Sequence, residues 1–143
     1  MIPIPEILVE IQTRWDLSGT LATYVPGGLW HKRANETTVA PYATITIAAD
    51  SVTMTTTGHY VAFCNITISV WSSEQLGSVA LRAITTGISS IMAIGAPITL
   101  ANGSLTGLAP DAATIDLDDL QREAADVIQY QTVYRGMLQG RAK

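Results

Sequence analysis

Residues 59–71 read HYVAFCNITISVW, a run with no proline or glycine and many β-branched and aromatic side chains. Tyr60, Ala62, Cys64, Ile66, Ile68 and Val70 alternate with Val61, Phe63, Asn65, Thr67, Ser69 and Trp71. A period of two puts the first, wholly apolar set on one face of an extended strand and the second, mixed set on the other. A strand this long spans roughly 40 Å at the usual rise per residue. It can persist only inside a sheet whose apolar face is covered, because an isolated strand leaves both its backbone and that face unsatisfied. The rest of the chain has to supply neighbours and a cover.

The neighbours are legible on either side. Pro41-Tyr42-Ala43-Thr44-Ile45-Thr46-Ile47 alternates in the same way, with Pro41 at the entrance, where a missing N–H costs no ladder bond. Asp50 to Gly58 is polar and Thr-rich and is expected to be a turn region. Asn102-Gly103 between apolar residues signals a hairpin over 98–108. Ile128, Tyr130, Thr132 and Tyr134 alternate with Val127, Gln129 and Val133, which makes Val127 to Leu138 a closing strand.

Two helices are expected as the cover. Pro5 and Glu6 suit a helix start, and Ile7, Leu8, Ile11 and Trp15 recur at helical spacing. Gly19 weakens this pattern and Pro26-Gly27-Gly28 ends it. Ser72-Ser73-Glu74-Gln75 matches a capping box, with a stripe of Leu76, Val79, Ala80, Ile84, Ile88 and Ile91 behind it, ending near Gly95 and Pro97. The expected architecture is a two-layer α+β domain over residues 1–143, with a mostly antiparallel sheet packed against two helices. A long loop or arm over 27–40 (GGLWHKRANETTVA), an acidic connector over 111–126 and a basic tail over 141–143 complete it.

Composition narrows the function. Charged residues make up 14% of the chain, well below the roughly 25% typical of soluble domains, while 48% is hydrophobic. A surface so short of charge is best kept in solution by hiding part of it in a permanent oligomer. The formal net charge of −4 argues against general nucleic-acid binding, which needs basic surface to release counterions. The start carries no secretory signal pattern and no apolar run is long enough for a membrane span, so a cytosol-like compartment, or a particle assembled there, is expected.

The chain offers little chemistry. It contains no G-x-S-x-G, P-loop, G-x-G-x-x-G or H-E-x-x-H pattern. With one cysteine, Cys64, and two imidazoles, His31 and His59, a zinc site is not expected. Neither histidine stands in a known nucleophile or base arrangement. Asp116, Asp118 and Asp119 form a D-L-D-D cluster without the Gly and distal Glu of a calcium loop, and read as a solvated turn. The reading is a protein that is not an enzyme and holds neither metal nor cofactor. Leu29, Trp30, Lys32 and Arg33, on the projecting loop, fit a protein–protein contact, where Trp and Arg are enriched.

Taken in order, these segments resemble the tail-completion, or tail-terminator, proteins of long-tailed bacteriophages. The resemblance rests on an N-terminal helix, G-G-L-W-H-K-R-A at 27–34, and P-Y-A-T-I-T-I at 41–47. It continues with a long hairpin ending in S-V-W-S-S at 69–73, the helix from Glu74 and the closing strand at Gln129 to Leu138. The resemblance implies a ring, usually of six subunits, at the head-proximal end of the tail, within the virion. Such a ring stops tail-tube growth, contacts the tail-tube protein and the head–tail connector, and passes DNA through its hole without reading it. Six copies would carry about −24, and an acidic lumen, with Asp116, Asp118 and Asp119 as candidates, would let DNA slide by repulsion. Rival readings are a head–tail connector (stopper or adaptor), a tail-tube subunit, and a small α+β ligand-binding or enzyme domain.

Overall fold

The computed structural model describes residues 4–32, 41–54, 58–72, 77–92, 98–110 and 128–141, without the side chains of Ser51, Pro110, Ile128 and Gln129. Its elements run α1 (Ile4–Leu17), α2 (Gly19–Tyr24), β1 (Leu29–His31), β2 (Tyr42–Met54), β3 (His59–Ser72), α3 (Ser78–Met92), β4 (Ile98–Leu100), β5 (Gly103–Pro110) and β6 (Ile128–Arg141). These six strands join one mixed sheet, in the order β1-β2-β3-β6-β5-β4, which curls into a half-barrel. The expected run at 59–71 is the axis of this sheet. β3 pairs along its whole length with β6 and, on its other side, with β2.

The alternation of β3 sorts as the period of two requires. Tyr60, Ala62, Cys64, Ile66, Ile68 and Val70 are all buried. They share their face with Ala43 and Ile45 of β2 and with Tyr130, Tyr134 and Leu138 of β6, all within one hydrophobic core cluster. Ile7, Ile11 and Trp15 of α1, Leu21 of α2, and Leu81, Ile84, Ile88 and Ile91 of α3 belong to that core too. α1 and α3 are tied by the Arg14 Nη1 to Ile91 carbonyl bond of 2.9 Å, and α3 to the sheet by a 3.1 Å bond between the hydroxyls of Ser89 and Tyr134.

Several local expectations are corrected. The first helix does not run on to Pro26. Ser18 adopts an extended conformation and its hydroxyl caps a second short helix by accepting from the Leu21 N–H at 3.3 Å. Residues 50–54 are not a turn, because β2 continues past a bulge between Asp50 and Thr53 to reach Met54 opposite Tyr60. Ser72 does not cap the second long helix, being held in the ladder opposite Ile128, and α3 starts at Ser78. Its buried stripe runs through Leu81, Ile84, Ile88 and Ile91, while Val79 is 74% exposed. Arg141 belongs to β6, opposite His59, rather than to a tail.

Glycine is required where two strands approach. At the hairpin turn, a Cβ on Gly103 would stand 2.7 Å from the Cα of Gly140, and one on Gly140 would stand 3.1 Å from the Tyr60 hydroxyl oxygen. The β4–β5 hairpin turn at Ala101-Asn102 therefore lies directly on the end of β6, where the Arg141 N–H donates to the Asn102 carbonyl at 2.9 Å. The expected hairpin at 98–108 is present, with Gly103 inside β5 rather than in the turn.

Candidate assembly surface

The stretch expected to form an arm begins as a strand. Gly28 takes a left-handed conformation (φ 82°) that turns the chain after α2, and its carbonyl accepts from the Ala43 N–H at 2.8 Å. Leu29, Trp30 and His31 then pair in parallel with Ala43, Thr44 and Ile45. The strand stops at Lys32, which has φ 67° and donates its N–H to the Ile45 carbonyl at 2.9 Å. A left-handed non-glycine residue is uncommon, and here it directly follows the end of β1.

The candidate contact residues are thereby divided. Leu29 is 7% exposed and belongs to the core of its own chain. Trp30 is half-buried, and its indole N–H donates to the Gly27 carbonyl at 2.9 Å. Lys32 is exposed, and Arg33 lies outside the described residues, as do Asp116, Asp118 and Asp119.

Register places Trp30 on the sheet face away from the helices, together with Thr44, Tyr42, Ser69 and Trp71. Tyr42 and Trp71 stack with centroids 6.4 Å apart, and the Trp71 indole N–H donates to the Thr44 hydroxyl at 3.0 Å. Three aromatic rings thus stand at this end of the face, beside the buried Thr44 and Ser69.

Further along the same face sits a charged network that sequence reading missed. Arg135 of β6 meets both carboxylate oxygens of Asp50, at 3.3 and 3.2 Å, and donates to the Asn65 side-chain oxygen at 2.8 Å. Asn65 in turn donates to Asp50 at 3.1 Å, closing a ring across β2, β3 and β6. The guanidinium also lies 4.6 Å over the Phe63 ring. Phe63 is 40% exposed and faces Met137 across the strands, so this network borders an apolar step on the sheet. The signal was present in the strand parity, since Asn65 and Arg135 fall on the same face, but Asp50 had been assigned to a turn.

The two histidines are kept apart. His31 lines a groove of about 290 Å³ with Leu8, Val9, Gln12, Thr13 and Ile45, whereas His59 lies at the far end of β3, beside Arg141. His31 sits level with Ile45 and Ile68, so roughly 30 Å of strand separates the two imidazoles. The Cys64 thiol is pushed up to about 11 by burial and, secondarily, by the Asp50 charge, which keeps it a protonated core group. Burial, with help from the Glu6 carboxylate, also raises the Tyr60 phenol. Among the described residues no cluster of three or more His, Cys, Asp or Glu side chains is placed to hold a metal, and no helix is long and apolar enough to cross a membrane.

No family model matches the chain, and no curated protein matches it. Among solved structures it is similar to a chain from the virion of the native gene transfer agent particle. The TM-score is 0.69 at 20% identity, over 96% of this chain and 97% of that one. At that identity the likeness establishes a shared fold over nearly the full length of both chains.

Proposed function

We propose that this chain is a structural virion protein of the tail-terminator type, a two-layer α+β subunit and not an enzyme. It assembles, in this reading, into a ring at the head-proximal end of a phage tail. The ring ends tail-tube growth, offers the head a docking surface and passes DNA through its centre. The observation that carries the proposal is the shared fold with a virion chain along 96% of this sequence. The ordered resemblance of its segments to tail-terminator proteins, and a charged fraction well below that of typical soluble domains, point the same way.

A connector or tail-tube subunit would share the virion setting. The terminator reading is preferred because the segment order from the first helix to the closing strand follows that family. It is tested by imaging tails assembled with and without the protein. Tails that overgrow and fail to join heads in its absence support it; tails of normal length that still join heads overturn it.

A further inference from the structure

The three most exposed large hydrophobic side chains of the described residues are all helical: Leu17 at 81%, Val79 at 74% and Val9 at 65%. Val9, Thr13 and Leu17 follow one another at intervals of four and share one solvent-facing stripe of α1. That stripe is flanked by acidic residues. Three of the four described carboxylates, Glu6, Glu10 and Asp16, are on this helix. Glu10 is paired with Arg14, but Asp16, among the described residues, accepts only from the Gln12 side chain.

Asp16 is also in the wrong place for a free helix. It sits in the last turn of α1, where the carbonyl end of the helix carries partial negative charge and a carboxylate is disfavoured. An exposed Leu17 beside it adds a second feature that does nothing for the isolated subunit.

A surface with the opposite character lies on α2 and α3. A groove of about 460 Å³ is lined by Thr20, Ser78, Val79, Arg82, Ala83 and Thr86. Among the described residues its lining is mostly small, it includes the exposed Val79, and its one charge is Arg82, which has no carboxylate partner there. We infer that this groove receives the α1 end of a second copy of the chain, with Leu17 seated against Val79 and Asp16 paired with Arg82. Thr20 of the groove stands three residues after Leu17, so the two patches adjoin and each copy offers both sides of the contact. The inference rests on the ring reading given above and names the subunit contact within it.

The test is a reciprocal charge exchange in the full chain, followed by sedimentation equilibrium at low salt. Asp16→Arg and Arg82→Asp should each raise the self-association constant for dissociation by about tenfold or more, as close charge pairs do at interfaces. The double variant should return to within about threefold of the original, because the pair is restored with its signs exchanged. Asp16→Arg should at the same time raise the thermal midpoint, since a cation suits the helix end, so loss of association cannot be ascribed to misfolding. A wild-type chain that stays monomeric, single variants that associate as before, or a double variant no better than the singles would overturn the contact. If the single variants still cap tails that overgrow without the protein, the contact is wrong while the terminator reading stands.

Discussion

Gly87 lies on the buried side of α3, where a Cβ would stand 2.9 Å from both Cγ and Cδ2 of Leu21, itself fully buried on α2. Two effects of known sign compete in Gly87→Ala. Replacing glycine inside a helix gains about 1 kcal/mol of helix propensity. Forcing a methyl group against a buried branched carbon costs about 1–3 kcal/mol of overpacking. Cγ is not the free tip of a side chain, so Leu21 cannot swing clear, and the structure predicts a net loss of about 1 kcal/mol from these two terms. Leu21→Ala alone should cost about 2–5 kcal/mol as a large-to-small core change. In that background the obstacle is gone, and Gly87→Ala should become stabilising by about 1 kcal/mol. The two substitutions are therefore coupled by about 2 kcal/mol, with a reversal of sign. Urea unfolding of all four chains, followed by far-ultraviolet circular dichroism, reads the cycle directly. If Gly87→Ala has the same sign in both backgrounds, α2 and α3 do not pack as described.

The buried thiol makes a pH prediction. Folded Cys64 holds its proton to about pH 11, whereas the unfolded thiol loses it near 9.0, so between those values the folded chain binds more protons. The associated stability is complete below pH 9 and is lost as pH rises towards 11, by about 3 kcal/mol at most; denaturant titrations should show this fall, and Cys64→Ala should lack that part of it. A slope unchanged in Cys64→Ala would refute the assignment. Trp30→Ala removes one hydrogen bond and one aromatic ring, so it should lower stability by about 1 kcal/mol while leaving the chain folded. If Trp30 also contacts a neighbouring subunit, assembly should weaken by about 2 kcal/mol or more, and an unfolded variant would instead make Trp30 a core residue.

The parts of the fold visible in the sequence were those governed by one dominant periodicity. The alternation from Tyr60 to Val70 faces the core without exception, and Ile7, Ile11 and Trp15 do the same on α1. Boundaries failed where local chemistry competed with long-range pairing. Asp50 and Thr53 look like part of a turn in isolation, but the ladder to β3 holds both in β2 across a bulge. Ser72 looks like a helix cap, but the same ladder retains it opposite Ile128. Leu29 looked like part of a projecting arm because parallel pairing with Ala43 has no local signature, and that pairing is what buries it. The Asp50–Asn65–Arg135 network was hidden for a related reason, since its members are separated by up to 85 positions and meet only once strand order is known.

Strand parity sorted Phe63, Asn65 and Thr67 onto the outer face, but it could not show that Arg135 would cross over Phe63 or that Trp71 would bond Thr44. The exposure of Val79 was equally out of reach, because it occurs in an apolar helical pattern whose phase is set by tertiary packing.

The central claim concerns where the protein acts, and one measurement addresses it directly. Tails should be assembled with and without the protein, and their lengths and attachment to heads measured by electron microscopy. The account predicts tails of variable, excessive length without heads when the protein is missing, and tails of uniform length joined to heads when it is supplied. Uniform, head-bearing tails in its absence would contradict it.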